Sequence, residues 1–313
     1  MTDKATMRLR NITCLDHAYI NDKGQVIGGS YHVSVDVSGN IDLREQVVVD
    51  FSTIKKDLKA IIDAKDDGYD HKLWWISGYS QGNCTHDAAT VWIKTDALEL
   101  IQPRDSVHVF DQEYQTDLVQ TVERELKLHI WKKLLAKYPG VDINCEVTCT
   151  KDDFSKHPTA VQFRYVHGLK DSTSWGCQNI SHGHTSFAEW TYNSYYSDTC
   201  QQCQAGVKSL MYAFDYMNDA ILIYDANIVN KDTFRTDPYI EIAYTTERGA
   251  FRAKYKSTAN KFIIMPHETT IENIVAWFKR TFKGSLSLSH VEELFISEGL
   301  AKGAVAASEN DQW

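Results

Sequence analysis

The feature that most limits how this chain can fold is a recurrence. Two successive stretches each present strands, then helices, then strands, and neither alternates strand and helix one for one. In the first, residues 30–37 (Ser-Tyr-His-Val-Ser-Val-Asp-Val) alternate like a half-buried strand, Gly39-Asn40 makes a turn, and Gln46 to Phe51 reads as a second strand. Asp50 stands where a helix N-cap belongs, with Ser52 and Thr53 as alternatives, and Ile54, Leu58, Ile61 and Ile62 form one apolar stripe after it. That helix gives way to a loop over Asp67 to Leu73. Residues 74–104 carry a weaker pattern, with an insertion-like segment from Gly78 to Asp87. A second helix over 116–138 runs through Leu118, Val122, Leu126, Ile130 and Leu134 to Pro139-Gly140, and Ile143 to Cys149 reads as a strand.

The second stretch repeats the order. Strands lie around His167 and from His184 to Tyr192, and a helix over 205–218 carries Val207, Leu210, Met211, Phe214 and Met217. Strands follow at 221–225 and 239–245, then a helix at 270–282 with Ile271, Ile274, Val275 and Phe278, then a strand at 291–297. Without β-α-β alternation, the expected class is α+β, with antiparallel sheets carrying helices on one face. The expected units are residues 1–158 and 159–306, followed by a polar tail, 307–313, that should fray.

The densest chemistry lies between Phe163 and Trp190. His182 and His184 are two residues apart, so in extended backbone their imidazoles leave on the same face. A hairpin partner ending at His167 brings a third imidazole beside them. A His-x-His pair alone is a weak signal, but three neutral imidazoles with an open fourth position are the ligand set of a catalytic zinc site. Cys177, in the connecting loop, is placed to act on what a metal holds.

Composition excludes other classes. A net charge of −9 argues against a nucleic-acid or anionic-membrane surface, which needs concentrated Lys and Arg. There is no apolar run near 18 residues, and Met1 to Arg10 is too polar for a signal peptide. Seven cysteines without a regular framework suit reduced thiols in a cytoplasm. Cys200 and Cys203 form a lone C-x-x-C, which reads as structural or incidental.

The run F-x-x-x-H-x-L from Phe163, followed by Cys177, four residues and His182-Gly183-His184-x-Ser186, resembles the zinc and nucleophile signature of the 6-pyruvoyl-tetrahydropterin synthase and 6-carboxytetrahydropterin synthase family. Usual members have three residues between the cysteine and HGH. In the first stretch Ile27-Gly28-Gly29-Ser30-Tyr31-His32-Val33 stands where that family has HGH-S-Y-H-V, so Ile27 and Gly29 replace two metal histidines; His17 could echo the first-strand ligand but reads as ordinary. The same stretch keeps V-V-D-F (Val48 to Phe51) and the family's Asp-His pair, Asp70-His71. The second stretch keeps His167, Cys177, His182 and His184, together with Thr270-x-Glu272-Asn273 and Glu298, and has no Asp-His near Asp225 to Pro238.

The resemblance implies tandem T-fold (tunnelling-fold) repeats, each an antiparallel sheet with two helices on one side, sharing one site across their joint. It further implies Zn2+ on His167, His182 and His184, with Cys177 and the Asp70–His71 pair as acid/base groups. Glu298, with Thr270 and Glu272, anchors a pterin. The implied activity is that of a lyase on 7,8-dihydroneopterin triphosphate. Its product is 6-carboxy- or 6-pyruvoyl-tetrahydropterin, the former (preferred on the Val48 to Leu73 segment) belonging to queuosine-type biosynthesis. The alternatives are a related aldolase or epimerase, or a non-catalytic pterin- or purine-binding protein. Exposed sheet edges imply a homo-oligomer.

Overall fold

In the computed structural model, which describes residues 3–111, 113–114, 117–148, 161–192, 201–282, 291–300 and 302–307, the first half supplies strands Lys4–Ile20 (β1) and Val26–Asn40 (β2), helix Phe51–Ile62 (α1) and strand Lys72–Trp75 (β3). Three short strands follow, Asn83–His86 (β4), Thr90–Lys94 (β5) and Leu98–Pro103 (β6), then Val107–Val109 (β7), helix Leu118–Leu135 (α2) and Asp142–Thr148 (β8). The second half supplies Val161–His167 (β9), His182–Tyr192 (β10), helix Gln201–Met217 (α3), Ala220–Tyr224 (β11), Tyr239–Thr246 (β12), Gly249–Lys256 (β13), Lys261–Met265 (β14), helix Ile271–Phe282 (α4), Val291–Glu298 (β15) and Lys302–Ala307 (β16).

Two sheets have the same strand order: β7-β3-β1-β2-β8 in the first half and β14-β11-β9-β10-β15, extended by β16, in the second. Both are mixed, which corrects the expectation of purely antiparallel sheets. β3 runs parallel to β1 and to β7, and β11 runs parallel to β9 and to β14. A helix-containing connection lets the third strand return alongside the first in the same direction, which a tight hairpin cannot do. The inserted strands of both halves join in a third sheet, β12-β13-β6-β5-β4, where β13 pairs antiparallel with β6.

Helices cover one face of each main sheet. Ile54, Leu58 and Ile62 of α1 and Val122, Leu126 and Ile130 of α2 bury against Val33, Val35 and Val37 of β2. Each such side chain contributes about 1.5–3 kcal/mol of burial. Phe214 of α3 and Phe278 of α4 stack at 4.4 Å over the equivalent face of the second sheet. The opposite faces, with Ala18, Ile20, Leu73, Val166 and Ile221, pack against the third sheet.

Asp50 caps α1 as expected, its carboxylate accepting from the Thr53 amide. The expected strand from Gln46 to Phe51 does not form. Asp42 instead accepts from the amides of Arg44 and Glu45, and Gln46 adopts φ 57°, which turns the chain directly into α1. Ala307, expected in the tail, is the last residue of β16; residues 308–313 lie outside the described residues, as does Cys200. No described helix is long and apolar enough to cross a membrane.

The β1–β2 and β9–β10 hairpins cross at a pair of glycines. A Cβ on Gly183 would lie 2.6 Å from Gly28 Cα, and one on Gly28 would lie 2.9 Å from the His184 nitrogen. Beside them the contacts are reciprocal: the Ser30 amide donates to Thr185 Oγ1 (3.2 Å) and the Thr185 amide donates to Ser30 Oγ (3.0 Å).

Candidate active site

His167 ends β9 directly opposite His182, which begins β10, and His184 follows two residues later opposite Tyr165. The three rings converge, with ligand atoms within 4.8 Å of one another, and all three are buried. His167 Nδ1 lies 2.8 Å from the Thr269 carbonyl and His182 Nδ1 lies 2.8 Å from the Asn179 carbonyl. Carbonyls only accept, so both Nδ1 atoms carry the proton and both Nε2 atoms present a lone pair. His184 Nδ1 lies 3.1 Å from Asp16 Oδ1 of the other half.

This geometry fits a metal ion. His167 Nε2 and His184 Nε2 face each other at 3.0 Å, an arrangement of donors that a cation between them satisfies. His182 Nε2 is buried without a partner among the described residues. Burial pushes His167 down to about 3 and lowers His182 as well, so both rings are neutral, as ligation requires. The carbonyls and the Asp16 carboxylate supply the outer contacts that orient ligating imidazoles.

The first half delivers the remaining groups. His71 sits in the left-handed region (φ 52°), a strained position for a residue with a side chain. Its amide donates to the Asp16 carbonyl (2.6 Å), and Asp70 Oδ1 accepts from the Asp16 amide (3.0 Å). His71 Nδ1 meets Asp70 Oδ2 at 2.7 Å, and its ring centre lies 5.2 Å from that of His182. Ligand atoms of His71, Cys177 and His182 also fall within 4.8 Å of one another. Burial opposes a charged His71, yet Asp70 and Cys177 beside it raise it well above the ordinary imidazole range. Burial likewise pushes the Cys177 thiol up, but hydrogen bonding to His71 outweighs this and the net direction is down.

The loop bearing Cys177 is fixed to its surroundings. Asn179 Nδ2 donates to the carbonyls of His71 and Ser106, both at 3.1 Å. The buried Arg248 guanidinium donates to the carbonyls of Trp175, Gly176 and Asp105. Gly176 packs so tightly that a Cβ there would lie 2.7 Å from His71 Cβ.

Glu298, nearly buried at the end of β15, pairs with Lys302 at 2.7 Å. Burial raises its carboxyl, but His184, Lys302 and His167 outweigh this and lower it. Thr270 lies at the start of α4, where its hydroxyl accepts from the Asn273 amide at 3.4 Å. The α4-leading residue that touches the histidine cluster is its neighbour Thr269. Glu272 is exposed in the first turn of α4.

His17 proves to be a packing residue, not a counterpart of the first-strand histidine. Strand register puts Tyr19, opposite Ile27, at the position of His167, while His17, opposite Gly29, matches Tyr165. The His17 ring stacks on Trp74 at 3.6 Å and on Tyr31 at 5.0 Å, and burial takes it down to about 3.

Sequence reasoning missed Asp16, Thr269, Asn179 and Arg248. Only Asp16 carried a signal: a carboxylate inside the apolar strand Leu15 to Ile20, opposite Ser30 in register. Burial would raise Asp16, but His184, His71 and the Ser30 hydroxyl (2.5 Å) hold it well below the carboxylate range.

No family model matches the chain, and no curated protein matches it. Among solved structures, 6-pyruvoyl tetrahydropterin synthase from Plasmodium vivax is 17% identical over 47% of this chain and 91% of its own, with a TM-score of 0.35. The Plasmodium falciparum enzyme is 16% identical over 45% and 90%, with a TM-score of 0.33. An uncharacterized protein from Wolinella succinogenes is 14% identical over 48% and 96%, with a TM-score of 0.30. Likenesses this distant establish neither the family nor the activity of the chain.

Proposed function

We infer that the chain is a zinc-dependent lyase of the tetrahydropterin synthase type, built from two T-fold units (1–158 and 159–306) and acting on a 7,8-dihydropterin with a hydroxylated side chain, 7,8-dihydroneopterin triphosphate first among them. One observation carries this reading: the His71–Asp70 pair of the first half stands beside Cys177 and the three-imidazole cluster of the second.

His167, His182 and His184 would hold the ion, which would supply Lewis acidity at the side-chain oxygens of the substrate. Cys177, drawn toward the thiolate, removes or returns a carbon-bound proton. His71, held protonated beside Asp70 and Cys177, gives the complementary proton, with Asp70 fixing its ring through Nδ1 and leaving Nε2 for the transfer. Glu298, kept ionised, accepts paired hydrogen bonds from pterin N–H groups. Anchoring of the loop by Arg248 and Asn179 holds the thiol in place between turnovers.

The test is to measure zinc per chain, then incubate the protein with dihydroneopterin triphosphate and identify the product by mass. A 6-carboxy or 6-pyruvoyl product supports the reading. Bound zinc with unchanged substrate removes the synthase assignment, and absence of zinc removes the metal centre.

A further inference from the structure

The pseudo-twofold through Gly28 and Gly183 gives the metal cluster a counterpart. Register equates Tyr19, Ile27 and Gly29 with His167, His182 and His184. The opposing corner is built on the same backbone scaffold. The Asp219 amide donates to the Arg164 carbonyl (2.7 Å), as the His71 amide does to Asp16, and Asn218 Oδ1 accepts from the Arg164 amide (2.9 Å), as Asp70 does from Asp16. Asp219 even shares the left-handed backbone of His71, with φ 59°.

The side chains differ in every chemical respect. Ile27 and Gly29 offer no donor, and a side chain at Gly29 would meet the His17 ring 2.7 Å from its Cβ. An Arg164–Asp219 ion pair at 2.9 Å occupies the corner that holds acid and imidazole at the first site. Residues 168–181 close over the first site, whereas only the five residues 21–25 join β1 to β2. The result is a cavity of about 590 Å³, a size that suits a small organic ligand.

Its lining indicates what enters. Arg164 is matched by Asp219, and Lys23 and Lys261 stand against Asp215 in the lining and Asp22 beside it, whose charge reaches Tyr19 and Tyr79. Lys261 Nζ donates only to the carbonyls of Asp215 and Asn218, and neither lysine has a carboxylate partner among the described residues. Two ammonium groups without carboxylate partners, in a chain of net charge −9, leave contacts open for an anion. Tyr19 and Tyr79, 6.2 Å apart, provide ring surface on the same wall.

We propose that this cavity is a second, metal-free binding site for a phosphorylated planar heterocycle, with the rings against Tyr19 and Tyr79 and the phosphates on Lys23 and Lys261. It binds without turning its ligand over, since among the described residues its lining has neither an imidazole–carboxylate pair nor the three imidazoles of the first site. The proposal is independent of the reaction at the first site.

The test titrates the zinc-loaded full chain with GTP, ATP and inorganic triphosphate by calorimetry. At least one nucleotide is expected to bind saturably, to bind equally well to a His182→Ala variant, and to bind about tenfold or more weakly to a Lys23→Glu/Lys261→Glu variant. Both lysines are exposed, so the double variant folds as the parent does. Four results overturn the proposal: no saturable binding of either nucleotide, loss of binding with His182→Ala, indifference to the lysine reversal, or inorganic triphosphate binding as tightly as the nucleotides.

Discussion

The β1–β2 and β9–β10 hairpins share strand order, register, a glycine at the crossing and a left-handed residue just before the neighbouring parallel strand, yet one gathers imidazoles and the other does not. The scaffold therefore sets where chemistry can happen, and a handful of side chains decides whether it does. At the imidazole-rich end, contributions come from both halves: the three imidazoles and the thiol from one, Asp16, Asp70 and His71 from the other.

The comparison breaks most visibly at the ligands. His182→Ala or His184→Ala is expected to take zinc from about one ion per chain to a trace and to abolish turnover, measured by elemental analysis and product assay. Retained zinc in either variant would mean that the imidazole cluster is not the metal centre. Next, Cys177→Ala and His71→Ala should each lower turnover by ~10²–10⁴-fold while zinc stays bound, which separates proton transfer from metal binding. Full activity in either variant would remove that residue from the acid/base role.

A smaller effect sharpens the role of the seam. Asp16→Asn keeps the shape but loses the carboxylate on His184 Nδ1, and zinc affinity in a chelator competition should fall ~10–100-fold. Unchanged affinity would show that the first half does not tune the ion. The smallest effect is expected at the opposite end, where Ile27→His should leave zinc stoichiometry unchanged, because His17 fills the space beside Gly29 that a further ligand would need. A second equivalent of zinc in that variant would show the two ends to be closer chemically than their side chains suggest.

Local features were readable from sequence. The α1 stripe and its Asp50 cap depend on residues a few positions apart, and the His167–His182 pairing follows from alternation along two strands. What sequence could not show is set by distance along the chain. The third sheet forms because β6 meets β13 some 150 residues later, and each of those strands is too short to reveal its partner. Asp16 reaches His184 only because two hairpins cross. The loop between Cys177 and His182 acts as a brace: Asn179 uses its carbonyl for His182 and its side-chain amide for His71 and Ser106. The parallel third strands were missed because strand direction leaves no mark in composition.

The back-to-back glycines where the hairpins cross carry no reactive group, yet they govern how near one half can approach the other. Even a methyl group on either would act as a wedge, lengthening the Asp16–His184 reach and loosening the opposite cavity in the same stroke. The imidazole cluster and the opposite cavity thus share a single mechanical fulcrum.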